Sequence, residues 1–139
     1  MLLEQIGTQG RIIESALQGK LVRNHVISNN IANADVPGFR ARRVSFEGSL
    51  LEALGDYPFD RKINLSGENN PRNRRIDLSG VEPEVAFMFP PGFYRIDGNQ
   101  VDVESEMVQL YQNSMKFDTL ISSVIANSRR LSMVLQRGG

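Results

Sequence analysis

Few residues in this chain have the type and spacing needed for chemistry. His25 is the single histidine. A hydrolytic triad needs a nucleophile, a base and a group that orients the base. His25 sits among apolar neighbours with no acid close by, so it reads as a packed or surface side chain. Glu82 and Glu84 flank Pro83. Paired carboxylates can exchange protons with a substrate, but nothing around them suggests a pocket. Asp97, Asn99 and Asp102 resemble part of a calcium loop. That loop needs Gly at its sixth position and Glu at its twelfth, where this chain has neither. There is no Cys, which removes thiolate nucleophiles and zinc–thiolate sites together. No catalytic residue, metal site or cofactor is indicated, and an enzyme is not expected.

Two arginine clusters remain: Arg40, Arg42 and Arg43, and Arg72, Arg74 and Arg75. Nucleic-acid binding would need net positive charge and aromatic stacking platforms. Here 16 basic residues cancel 16 acidic ones and Trp is absent. The arginines fit carboxylate pairing at a protein interface better. No nucleic acid partner is expected.

The elements that must position these groups are dominated by two helices. Val103, Met107, Leu110, Ser114, Phe117, Ile121, Val124, Ser128, Leu131 and Leu135 repeat with alternating steps of four and three. That is the seam of a helix packed lengthwise on others. A helix over 102–136 is roughly 50 Å long, too long for the core of a 139-residue globule. Asp102 suits its N-cap. Residues 1–33 predict a second helix with a weaker seam that includes Ile13, Leu17, Ile27 and Ile31. Gly7, Gly10 and Gly19 each weaken that helix by ~1 kcal/mol relative to Ala.

The fold class that follows is mainly α. Long N- and C-terminal helices pack as an antiparallel coiled-coil-like pair, with a loop-rich middle containing short β segments. The expected divisions of this one domain are 1–35, the N-terminal core helix; 36–54, a Pro-Gly turn with a short outer hairpin or helix; 55–92, a flexible or extended linker; and 93–139, a turn or hairpin leading to the C-terminal helix. Val36-Pro37-Gly38-Phe39 predicts a type II turn, with Pro presetting φ and Gly accepting positive φ. Apolar positions off the seams call for further subunits. No run of ~18 apolar residues is present, so no direct membrane span is expected. The N-terminus lacks the pattern of a cleavable secretion signal.

Ser28-Asn29-Asn30-Ile31-Ala32-Asn33-Ala34-Asp35-Val36-Pro37-Gly38-Phe39-Arg40 resembles the N-terminal signature of bacterial flagellar axial proteins, the rod, hook and hook-associated subunits. Its motif positions are Asn30, Ile31, Ala32, Asn33, Pro37, Gly38, Phe39 and Arg40. Thr is common before the Pro; here Val36 takes that place. The lead-in Asp97-Gly98-Asn99-Gln100-Val101-Asp102 with Glu106-Met107 is similar to the proximal rod type.

The resemblance implies a non-catalytic structural subunit of the proximal rod of the flagellar basal body. It would assemble by helix packing into the torque-transmitting shaft, in the periplasmic space. Implied partners are other rod subunits of the same and sibling types, the rod-to-MS-ring adapter, and the flagellar type III export apparatus. Export would then need no cleavable signal. Phe46 and Leu50 fit an export pattern of the form Phe-x-x-x-hydrophobic. The competing readings are a sibling proximal rod subunit and a cytosolic coiled-coil adaptor or export chaperone.

Overall fold

In the computed structural model, residues 2–54, 78, 80–88 and 95–137 are described, and side chains within helices from residue 9 onward with a few exceptions near the C-terminus. Five elements follow in order: helix α1 (Leu2–Ala32), strand β1 (Arg42–Ser45), helix α2 (Glu47–Leu54), strand β2 (Glu84–Phe87) and helix α3 (Val103–Arg137). The two long helices run antiparallel. Asn30, near the end of α1, meets Glu106 at the start of α3, while Lys20 meets Asn113 further along. The mainly α expectation therefore holds, with both terminal helices packed on each other.

Capping explains where the helices start and stop. Asp102 Oδ1 accepts from the Glu104 and Ser105 amides at 3.1 and 3.3 Å, which makes it the N-cap of α3. Glu104 and Glu106 lie in the first turn, where the helix dipole favours acid. At the end of α1, the Asn33 side chain donates to the Asn29 carbonyl at 2.7 Å. The chain then turns at Pro37-Gly38. Phe39 N–H donates to Val36 O at 3.2 Å and Gly38 has φ of 71°, the conformation a type II turn requires at its third residue.

β1 and β2 form a two-stranded antiparallel sheet with Arg42 opposite Phe87 and Ser45 opposite Glu84. Residues 84–87 are thus a paired strand within the segment expected to be a linker. The remainder of that segment, 55–77, together with 79 and 89–94, lies outside the described residues. From Arg95 the chain makes a turn, closed by Gly98 N–H to Arg95 O at 2.8 Å, with Gly98 at φ 78°. Residues 100–102 then lead directly into α3, and residues 93–94 of the expected turn or hairpin lie outside the described residues.

Two small apolar clusters form the core. Val26, Val44 and Phe46 are buried, with Val22 and Leu50 packed on them. Ala34, Ala41 and Val101 are buried beneath Phe39, Met88 and Val103. The first packs β1 and α2 on the second half of α1, and the second joins the turn after α1 and the end of the sheet to the start of α3.

Candidate assembly site

The motif region of α1 is a polar junction. Asn30 is fully buried. Its Nδ2 donates to the Arg42 carbonyl at 2.9 Å and its Oδ1 accepts from the Arg42 amide at 3.1 Å. The side chain imitates a neighbouring strand along the inner edge of β1. Arg23 donates to the Val44 carbonyl at 2.9 Å on the same edge. Asn30 also donates to Glu106 at 3.3 Å. Glu106 is 1% exposed and forms an ion pair with Arg43. A buried carboxylate is tolerable only with such partners. One asparagine therefore joins α1, β1 and α3.

Asn99 makes a second junction. It is fully buried, and its Nδ2 donates to the carbonyls of Asn33, Ala34 and Val36 at 3.0, 3.0 and 2.7 Å. These carbonyls lie at and beyond the C-terminus of α1, where no further helical turn satisfies them. Asn99 Oδ1 in turn accepts from Val101 N–H at 2.7 Å. Backbone bonds from Gly38 N–H to Asp97 O, at 2.9 Å, and from Gln100 N–H to Phe39 O, at 3.1 Å, complete the seam between the two turns. A Cβ on Gly98 would lie 3.7 Å from Gly38 Cα, so the two glycines pass in close backbone contact.

A third junction holds α2. The Phe46 ring is 2% exposed and lies against Gly19, where a Cβ would come within 2.5 Å of ring carbons. Lys20 Nζ and Arg23 Cζ sit 5.1 Å from the ring centroid, a cation–π distance. The same two cations bind Glu47, Lys20 at 2.9 Å and Arg23 through its guanidinium. Burial pushes the Glu47 carboxyl up, but hydrogen bonds from Arg23 and Lys20 outweigh it and hold the pKa down at about 2.

The remaining motif residues frame these junctions. Ile31 and Phe39 are half-buried, whereas Ala32, Pro37, Gly38 and Arg40 are exposed. Arg40 lies over the Phe87 ring, 4.6 Å from its centroid. Of the two residues in the export pattern, Phe46 is buried and Leu50 packs beside it.

The seam residues divide by position. Ile27 is buried; Ile13, Leu17, Val103, Leu110, Phe117, Ile121 and Leu131 are half-buried. Met107, Val124 and Leu135 are exposed, with relative exposures of 57%, 37% and 66%. Early in α3 the buried stripe runs through Glu106 and Asn113 rather than Met107. The ion pair with Arg43 and the Asn113 bond to the Lys20 carbonyl, at 2.8 Å, fix that rotation. Toward its C-terminus α3 presents an open, mainly apolar stretch of Val124, Ile125 and Met133, with Ser128, Arg129 and Ser132 beside them.

Asn99, Glu106 and the Gly19–Phe46–Glu47 contact have no structural role assigned from sequence, whereas Arg43, expected to pair with a carboxylate at a protein interface, pairs with Glu106 of its own chain. From sequence Gly19 stands out only as a weak point in the helix, as Gly7 and Gly10 do. Glu106, one position before Met107, gives no signal, because its partner lies 63 residues away.

His25 is exposed, as are Glu82 and Glu84. Among the described residues no cluster of His, Asp or Glu could hold a metal ion, and no helix is long and apolar enough to cross a membrane. What the geometry offers is a set of interlocked turns at one end of a helix pair and an exposed apolar face at the other. Such an arrangement is suited to packing against other chains.

Comparison with known proteins agrees with that arrangement. A family described as "Flagella basal body rod protein" matches residues 11–40, which covers the motif helix and turn. The flagellar basal body rod protein FlgB of Bacillus subtilis is 34% identical, over 91% of this chain and 92% of its own length. FlgB of Yersinia enterocolitica is 30% identical over 99% of this chain and 100% of its own. FlgB of Escherichia coli K12 is 27% identical over 99% of both. The chain belongs to the FlgB family of flagellar basal body rod proteins.

Proposed function

We propose that this chain is a structural subunit of the proximal rod, built into the shaft by packing α1 and α3 against neighbouring subunits, with no catalytic step. Family membership supports the reading, and one structural observation carries it: α3 continues far past its junctions with α1 and exposes Val124, Ile125, Met133 and Leu135 there. Exposed apolar faces of this kind mark protein interaction sites. Burying one such side chain contributes ~1.5–3 kcal/mol. Repeated on each copy, a head-to-tail contact that does not close produces a helical filament. Many small contacts along packed helices resist sliding, which is what torque transmission requires.

The partners follow from this role: rod subunits of the same and sibling types, the adapter that joins the rod to the MS ring, and the type III export apparatus. The chain would reach the periplasmic space through that apparatus without a cleavable signal. Phe46 and Leu50 would serve export only in the unfolded chain, because the folded subunit packs them against α1.

The test is fractionation of cells producing a tagged chain, with Ile125→Asp as comparison. The wild type is expected in purified basal bodies. The variant is expected to be exported yet missing from them. A wild-type chain confined to the cytosol would instead favour the adaptor reading. Incorporation of the variant at wild-type levels would remove α3 from the interface.

A further inference from the structure

The small sheet has two edges, and they differ. In an antiparallel pair, residues alternate between those bonded to the partner strand and those whose N–H and C=O point away from it. Met88 N–H donates to Ala41 O at 3.0 Å, and residues 41 and 88 continue the register of Arg42 opposite Phe87. The pairs 41–88, 43–86 and 45–84 are therefore the bonded ones. Arg42 and Val44 point their backbone groups outward on the β1 side. Three of those four groups are bonded from α1: Asn30 takes the Arg42 N–H and carbonyl, and Arg23 takes the Val44 carbonyl. On the β2 side the outward residues are Val85 and Phe87. Among the described residues, no hydrogen bond reaches their backbone groups.

Side chains on β2 reinforce the contrast. All four of its residues are exposed, with Val85 at 45% and Phe87 at 49%. Arg40 and Arg42 lie on the Phe87 ring, with Cζ 4.6 and 5.4 Å from its centroid. Among the described residues neither guanidinium has a carboxylate partner, whereas Lys20, Arg23, Arg43 and Arg95 do. Stacked guanidinia keep their N–H edges available for bidentate carboxylate binding.

We infer that the outer edge of β2 receives an extended segment of a neighbouring protein chain, which adds as a third strand and places a carboxylate against Arg40 and Arg42. An open edge is a template for strand addition, in which backbone bonds give affinity and flanking side chains give selectivity. Among the described residues, α1 lies along the outer edge of β1, and β2 is the side of this sheet left open for a strand to join. The charge of the arginine platform selects an acidic segment. The inference rests on the rod reading for the identity of the neighbour as another subunit of the shaft.

Val85→Pro provides the test. Proline removes an outward N–H that takes no part in the β1–β2 ladder, so it is tolerated at such an edge position. The variant is expected to keep the circular dichroism and melting temperature of the wild type and to be exported normally. Its incorporation into basal bodies is expected to fall roughly tenfold, since strand addition loses a backbone hydrogen bond. R40Q/R42Q is expected to lower incorporation severalfold. Hydrogen exchange adds a direct readout: the Val85 and Phe87 amides exchange fast in the isolated chain and slowly in the assembly. Wild-type incorporation of Val85→Pro overturns the inference. So does protection of both amides in the isolated chain, which would mean that the chain covers its own edge. Absence of the wild type from basal bodies defeats the rod reading instead. In that event the same two amides decide the matter in whichever complex the chain is recovered with, protection supporting strand addition and its absence overturning it.

Discussion

The two halves of the helix pair are held in different ways. Where the second half of α1 and the turn after it face residues 99–102 and the first turns of α3, most contacts are specific. Asn30 and Asn99 are fully buried, Glu106 is paired, and Phe46 fills the space left by Gly19. Toward the other end, α3 exposes Val124, Ile125, Met133 and Leu135. Its Ser122, Ser123 and Ser132 hydroxyls bond only to carbonyls of their own helix, four residues back. No ion pair joins the two helices there among the described residues. The first half has the character of a protein interior, although Asn24 Oδ1, Gln100 Oε1 and Asn113 Oδ1 are buried there without a hydrogen-bond partner among the described residues. The second has the character of an interface that lacks its partner. A single chain can therefore carry a region folded for itself and a region completed only by neighbours.

The largest expected effect breaks the first half. Asn30→Leu would leave the Arg42 amide and carbonyl unpaired and take one donor from buried Glu106. Orphaned buried polar groups of this kind cost about 3–5 kcal/mol together. Urea denaturation of the isolated subunit should show the loss. Val124→Asp, in the second half, should change the same measurement by less than ~0.5 kcal/mol, while blocking assembly. Equal effects of the two substitutions would erase the distinction between the halves.

A pair of glycines sharpens the comparison. A Cβ at Gly19 would sit 2.5 Å from a ring that Val26 and Val44 hold in place, while a Cβ at Gly10 would meet nothing within 4 Å. Gly19→Ala gains ~1 kcal/mol of helix propensity but forces an overpacked core that costs about 1–3 kcal/mol. A net loss is expected. Gly10→Ala gains the propensity without the clash and should raise both helicity and melting temperature. Stabilisation by both substitutions would show that the Phe46 contact yields readily.

These glycines also mark how far the sequence could be read. Both long helices are legible from 4-3 spacing, because burying an apolar stripe is a local demand repeated along the chain. The Pro37-Gly38 turn is legible because φ is restricted residue by residue. All three glycines in α1 look alike as weak points in a helix, and only the packing of Phe46 separates Gly19 from Gly10. The strand at 84–87 falls in the segment expected as a linker with short β segments, and its pairing is not legible because its partner, 42–45, lies some forty positions away. Asn30 and Asn33 stand out in the motif, yet their fates differ: Asn30 is buried between three elements, whereas Asn33 bonds back within its own helix end. Glu106 was least legible, because a seam pattern places apolar residues inside and Met107 satisfies that pattern better.

The smallest expected effect tests whether the α2 contact belongs to the first half. Glu47 has its carboxyl held at about 2, below the ordinary 4.5, by hydrogen bonds from Arg23 and Lys20 that outweigh its burial. A carboxyl depressed in the folded state stabilises that state in full above its ordinary pKa. The contribution is then lost as pH falls from 4.5 toward 2. The side chain is 47% exposed, so solvent screening reduces the contribution to roughly 1 kcal/mol. At pH 3 a little over half of this is gone, so melting of the isolated subunit should drop by roughly 2–3 °C between pH 6 and pH 3 from this group. Glu47→Gln should melt lower at pH 6 and lose that part of the acid sensitivity. If the variant instead matches the wild type at both pH values, Lys20 and Arg23 hold α2 through the Phe46 ring alone. The Glu47 pair would then be a surface contact that adds nothing to the first half.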